Sequence, residues 1–433
     1  MKTNLLITNA LDRGRLTQIA DWTVVGVAVS LPWSTSATSI LIVVWLLTLL
    51  PTLDVAMIRR EVETAAGGLP VLLWLLAVVG MLWADVNWTE RVGGLGAFHR
   101  LLMIPLLLTQ FRRSERGAWV IYGFLASAVI WLLASWILVL AVPGFTWPGK
   151  SQMYGVLIRD YIAQSTVFLI CGIVLLWPVC DSLRERNWQA ALLPAGLAVL
   201  FLAYMAFVVV SRTAIIVAPF LVVLLGWRQS GWKGAVAACV AGAVLAAGLW
   251  ASSPNLRRFL MKSIQQGQAY SATNADTSVG EHIDFVRRSM TFVRDAPLIG
   301  HGTGSIAEVF RRSAIGQTGL AGAVAENPHN QIFAVAIQLG LAGAAVLVAM
   351  WASHLFLFRA ASFTAWVGTV VVVENILSSF AHSHLSDFMH GWLYVFGVGV
   401  VGGMVRHQFA ADAGQGSGMP ATTPMQPVDA HLR

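Results

Sequence analysis

Charge is what this sequence has least of. Only 11% of its 433 residues are charged, against 57% hydrophobic, whereas soluble globular chains carry roughly 25% charged residues. So few charges cannot solvate a compact surface of this size, so a soluble globular class is excluded and a bilayer is the medium that suits the chain. Cysteine is scarce as well. Cys171, Cys180 and Cys239 all fall inside apolar runs, which argues against a disulfide framework and a thiolate metal site. There is no internal repeat, and no two halves match, which counts against the symmetric plan of secondary transporters. The basic excess of +7 is not a nucleic-acid signature, because the charges are scattered between apolar runs. No nucleic-acid partner is expected.

What is present is a succession of apolar runs, near 18–34, 37–53, 69–84, 98–111, 117–142, 161–181, 189–210, 212–227, 232–250, 328–357, 362–380 and 388–405. A membrane-crossing helix needs about 20 such residues. Tryptophans such as Trp83, Trp88, Trp188, Trp227, Trp232 and Trp250 flank the runs, as they do in interfacial aromatic belts. The fold class expected is an all-α polytopic membrane protein of about twelve transmembrane helices, surrounded by membrane lipids. Asp12 and Asp21 beside the first run, and a second run so soon after, predict an uncleaved first helix rather than a signal peptide. In span 328–357, Gly340 and Gly343 predict an internal break.

Charge sets the topology. With the N-terminus inside, fifteen of the 28 Lys and Arg residues fall in cytoplasmic segments and five, including Lys150, at short external loops and helix mouths; the other eight lie in one long external segment. That asymmetry predicts both ends inside, with Lys2 and Arg433 on the cytoplasmic side. Residues 1–410 then form a single transmembrane domain that includes the external loop 251–327 between the ninth and tenth helices, and 411–433 form a disordered cytoplasmic tail rich in Gly, Pro, Ser and Thr. Inside the loop, Ser253-Pro254 reads as a helix start and a second helix is expected over 280–295. The run Gly300-His301-Gly302-Thr303-Gly304 lacks the Lys-Ser/Thr of a nucleotide-binding loop and reads as a tight turn.

Polar residues at membrane depth are costly and usually functional. In this topology Arg100, Arg159 and Arg212 open the fourth, sixth and eighth helices at the outer face, His329 opens the tenth, and Asp387 and His390 open the twelfth. Arginine works against the dipole at a helix N-terminus. Three so placed suggest an anionic ligand, and the guanidinium fork matches phosphate oxygens. In Asn327-Pro328-His329-Asn330, Asn327 reads as the cap and Pro328 as the first helical residue. His329 in the first turn is then a neutral imidazole able to accept a proton. His382, His384, Asp387 and His390 could hold zinc, but no complementary ligand set with convincing spacing appears elsewhere, and no metal is expected.

Ser211-Arg212-Thr213-Ala214, Pro297-Leu298-Ile299-Gly300-His301-Gly302 after Arg288, and Asn327-Pro328-His329-Asn330 followed by Gly340 and Gly343 together resemble the O-antigen ligase family over roughly 155–405. Where that family often shows Gly-x-Arg, this chain reads Gly280-Glu281-His282, with arginines later at Arg287 and Arg288. Ala214 stands where the family has glycine. The resemblance implies a GT-C-like glycosyltransferase of the Gram-negative inner membrane, working at the periplasmic face without metal, nucleotide or other cofactor. The donor implied is a polysaccharide on undecaprenyl diphosphate, and the acceptor a sugar hydroxyl of lipid A–core, with inversion at the anomeric carbon. It implies His329, Arg288 and Arg212 as catalytic residues, and Arg100, Arg159, Arg287 and Asn330 as substrate-binding. An O-antigen polymerase, a protein O-oligosaccharyltransferase and a secondary transporter remain as alternatives.

Overall fold

The computed structural model describes residues 13–144, 146, 154–273 and 276–416. Lys2, Lys150, Arg433 and the tail beyond 416 lie outside the described residues. Every regular element among those described is helical. In chain order they are α1 (Arg13–Ser30), α2 (Thr35–Leu49), α3 (Val55–Val62), α4 (Ala65–Gly80), α5 (Trp88–His99), α6 (Met103–Phe111), α7 (Gly117–Ala141), α8 (Tyr161–Arg184), α9 (Trp188–Phe207), α10 (Arg212–Ser252), α11 (Pro254–Thr273), α12 (Ser278–Asp295), α13 (Ile306–Ala314), α14 (Gln331–Leu357), α15 (Phe363–Ser378) and α16 (Phe388–Gly416). The last helix thus runs six residues past 410, into the segment expected to be tail.

Among the described residues eight helices are long and apolar enough to cross a membrane, or nine if the pair α3 and α4, bent by 90°, counts as one span. The shortfall from about twelve has physical causes. α1 carries Arg13, Arg15 and Asp21, and α15 is only 16 residues long. α10 contains two of the expected runs in one 41-residue element whose backbone leaves the helical region at Ser230 and Gly231. The chain reverses there. A Cβ on Gly226 would lie 2.3 Å from the Gly234 carbonyl oxygen, although a straight helix would separate these residues by about 12 Å.

Burial follows apolar pattern. α8 is apolar all round and is buried from Ala163 to Leu175, as a helix at the centre of a bundle must be. It packs on α9, α10 and α15, while α16 packs on α6 and α15. Charged groups inside the bundle are paired. Gln110 Nε2 and Ser114 Oγ donate to Asp21 at 2.8 and 2.7 Å, and Glu61 pairs with Arg112 at 2.8 Å and with Arg406.

The loop between the spans has its own small core of Phe285, Phe292 and Phe310, sealed by Ala325 and Ile337. Ser253 Oγ accepts from Leu256 N at 3.2 Å to start α11, and Thr277 caps α12. The glycine-rich turn locks this unit to the membrane domain. α14 breaks at Gly340, with φ +65° and ψ −166°, and residues 297–304 fill the break. His301 N and Gly302 N donate to the Ile337 and Gln338 carbonyls, and Leu341 N donates to the Pro297 carbonyl at 2.7 Å. A Cβ at Gly340 would lie 2.3 Å from the Leu298 carbonyl. Glycine is therefore required both for the left-handed backbone and for the close approach. These amides are spent on α14, so the run is a docking turn and not a phosphate cradle.

Candidate active site

The segment before α14 departs from expectation. Asn330, not Asn327, is the cap: its backbone is extended and its Oδ1 accepts from Phe333 N at 3.1 Å. Asn327 instead closes a local turn, its Oδ1 accepting from His329 N at 2.9 Å. His329 therefore stands outside the helix, with φ +52°. Among the described residues only Arg159, Arg186 and His329 are non-glycines with positive φ. Such strained backbone costs roughly 1–3 kcal/mol and clusters at functional sites. Two of the three are residues singled out from the sequence. Asn330 Nδ2 donates to the Phe380 carbonyl at 3.2 Å, which leaves one N–H and one lone pair of the amide uncommitted. Asn330 thereby ties the start of α14 to the end of α15.

Around the half-buried His329 the fold gathers imidazoles. α12 presents Phe285, which lies parallel to the His329 ring at 6.1 Å, and His282, at 5.2 Å. The loop between α15 and α16 brings His382 to 6.0 Å from His329 and 6.4 Å from His282. The row continues through His384, 6.0 Å from His382, to His390, stacked on His384 at 4.5 Å. His390 Nδ1 donates to Asp387 Oδ1 at 2.7 Å. No group of three or more His, Cys, Asp or Glu among the described residues is arranged to hold a metal ion.

Burial favours the neutral form of His329, His282, His382 and His384. His329 is shifted below the ordinary histidine value by burial, against a smaller opposing pull from Glu281. The cause is burial rather than a helix dipole, because His329 lies outside the helix. Burial, with the neighbouring His329 and Arg212, takes His282 down to about 4, and His382 falls to about 3 through burial and then His390, His329 and His282. Two charged rings 6.0 Å apart would repel by on the order of 3 kcal/mol at an effective dielectric near 20. Adjacent members of the row therefore do not both carry a proton. Burial would raise Asp387, but the hydrogen bonds and charge of His390 outweigh it and hold that carboxyl well below the usual range.

The arginines divide into three groups. Arg212, the first residue of α10, is held by α11, its Nε donating to Ser263 Oγ at 3.1 Å and its Nη2 to Gln266 Oε1 at 2.9 Å. Its charge reaches His282, so it belongs to the His329 end of the row. Arg100 and Arg159 belong to the other end, with guanidinium carbons 5.5 and 5.7 Å from the Phe388 ring. Arg159 precedes the Asp160 cap of α8 and donates to the Leu31 carbonyl at 3.0 Å. Arg100 bonds the Asp387 carbonyl. It does not open a helix as expected, because Asn87 caps α5 further upstream and Arg100 falls in the 3-10 turn between α5 and α6. Arg288 and Arg287 stand apart. Arg288 Nη1 donates to the Ala323 carbonyl at 2.7 Å and Nη2 to the Phe310 carbonyl at 2.8 Å, with Asp284 at 3.6 Å. It ties α12 to α13 and the following turn. Arg287 is exposed, five residues along α12 from His282 and so on the side away from it.

The residue missed from the sequence is His282. Its place was marked, since Gly280-Glu281-His282 stands where the resembled family has Gly-x-Arg. Helical spacing puts 282, 285, 289 and 292 on one face, and that face meets His329.

Comparison with known proteins agrees in class. Residues 197–348 match the family model described as O-antigen ligase, so this part of the chain is similar to that family. The match includes Arg212, His282, Arg288 and His329. No curated protein matches the chain.

Proposed function

Taking residues 197–348 as a domain of the O-antigen ligase family, we propose that this multi-pass membrane protein transfers a polysaccharide from undecaprenyl diphosphate to a sugar hydroxyl of lipid A–core. The reaction takes place at the periplasmic face of the inner membrane. The observation that carries the reading is His329: a neutral imidazole, held in a strained turn beside His282, whose own ring feels the charge of Arg212. A neutral imidazole can take the acceptor's proton as its oxygen attacks the anomeric carbon. The anomeric centre inverts, and the electron pair of the breaking bond leaves on the diphosphate. Arg212 stabilises that charge as it develops. Arg100 and Arg159 offer further cationic contact to the amphiphilic substrates. Polyprenyl diphosphate is already an activated leaving group, so nucleotide is not needed.

A deletion strain tests the reading. Lipopolysaccharide run on a gel should lose its long ladder while lipid-linked polymer accumulates. Loss of the polymer itself would reassign the chain as a polymerase. Purified protein with both lipid substrates should keep its full rate in chelator and without nucleotide. Activity abolished by chelator and restored by zinc would make the histidine row a ligand set. The proposed orientation has its own test. Ile315, which is 78% exposed, should be labelled by an impermeant maleimide in intact spheroplasts as Ile315→Cys in a Cys239→Ser background, and protection there would invert the topology.

A further inference from the structure

The proposed chemistry leaves a proton on His329 after each turnover. The structure provides more imidazoles than one base requires, and they are ordered. His329, His382, His384 and His390 follow one another at 6.0, 6.0 and 4.5 Å. None of the loop residues between α15 and α16 lies within the matched segment 197–348, and none has a part in the transfer step described above.

Three further observations bear on the row. First, His382 and His384 lie between His329 and a charged far end, where His390 Nδ1 is 2.7 Å from Asp387 Oδ1 with Arg100 and Arg159 on the same side. Burial and His390 lower both rings, and Asp387 offsets this only in part, so neither ring keeps a proton that it receives. Second, the loop holds polar atoms that are buried without a protein hydrogen-bond partner: His384 Nδ1, Ser379 Oγ and Ser383 Oγ. His384 is 1% exposed, and its other nitrogen is committed to Ser378 Oγ at 2.6 Å. Buried groups of this kind are ordinarily satisfied by internal water. Third, the row reaches water. The Asp387 side chain is 46% exposed, whereas that of His390 is 6% exposed.

We propose that His382 is a second proton carrier of the transfer reaction, passing the acceptor's proton from His329 along the loop between α15 and α16 to Asp387 and solvent. This rests on His329 being the base. The balance is simple. The acceptor O–H bond breaks and its proton binds the free nitrogen of His329. The new C–O bond forms, and the old bond's electron pair departs with the diphosphate. The proton then moves to His382, and the water-linked polar groups of the loop deliver one proton at Asp387. His329 is thus neutral again before the next acceptor arrives. No oxidant or second reactant is required.

The test uses full-length purified protein with both lipid substrates. His382→Gln keeps a hydrogen-bonding group but cannot carry a proton. Its kcat should fall about tenfold or more, with the KM of each substrate unchanged and a larger solvent isotope effect. Added imidazole should restore turnover to His382→Ala, as a purely structural residue would not allow. Wild-type protein gives a measurement independent of variant folding. Its single-turnover rate across H2O–D2O mixtures should curve, because more than one proton is in flight. A linear dependence overturns the relay. So does a His382→Gln variant with wild-type kcat, pH profile and isotope effect while His329→Gln is inactive, for the proton then leaves His329 directly. If His329→Gln itself turns over normally, it is the base assignment that fails, and the two failures are told apart.

Discussion

Replacing His329 with alanine should lower turnover by about 10²–10⁴-fold, the usual contribution of a positioned base, without preventing folding. The side chain makes ring contacts with His282, Phe285 and His382 but belongs to neither apolar core. Its backbone N–H, which closes the turn on Asn327, survives the substitution. His329→Gln separates proton transfer from positioning, since glutamine hydrogen-bonds but cannot take up the proton at these pH values. Wild-type turnover in that variant would leave His329 as an orienting group and make Asp387 the next candidate base. The pH profile follows from the direction of the shift. Burial disfavours the charged imidazole, so the neutral, competent form persists to lower pH than in a free histidine near 6.5. Wild-type rate should therefore be flat through neutrality and fall only on acidification below that value. A profile falling from above neutrality would contradict a buried neutral base.

The fold was legible where a pattern is local. Each of the twelve apolar runs lies largely in helix, because length and hydropathy are written residue by residue. Among the described residues only eight helices are nevertheless long and apolar enough to span a bilayer, because charge in α1, shortness in α15 and reversal inside α10 are features of individual elements that a run of apolar residues does not announce. The break at Gly340 was legible from glycine. What fills the break was not, since the 297–304 turn approaches from forty residues away. The site shows the same division. His329 and Arg212 were found through their short motifs, and the structure brings both to one end of a single row. His282 was passed over in favour of Arg287 and Arg288, although the helical period carries Arg287 to the far side of α12. The placement of Asn330 as cap, rather than Asn327, depends on a turn at His329 whose positive φ is uncommon outside glycine, although histidine adopts it more readily than most residues.

Arg212 and Arg288 should both lose activity on substitution by alanine, but for different reasons that measurement can separate. Arg212→Ala should lower turnover by about 10²–10³-fold, the typical effect of removing one donor from a developing anion. The folded protein should persist, because the partners left behind, Ser263 and Gln266, are neutral groups at a half-buried position. Arg212→Lys should recover part of the rate, since it restores a charge without the two-pronged fork. Arg288 is a different case. Its side chain is 11% exposed and faces Asp284, which is 12% exposed, and it also satisfies the carbonyls of Phe310 and Ala323. Alanine there strands a buried carboxylate and two carbonyls, and breaking a buried pair in this way costs about 3–5 kcal/mol. The loop unit formed by α12 and α13 should loosen, seen as faster protease cleavage within 278–326 and a lower unfolding temperature. Lysine should not rescue it, because one ammonium cannot span acceptors on three segments. The pair of results assigns the roles: a stable, inactive Arg212→Ala beside an unstable Arg288→Ala places the diphosphate at Arg212. A stable Arg288→Ala that has lost turnover would instead mean that its guanidinium leaves these partners to meet the substrate.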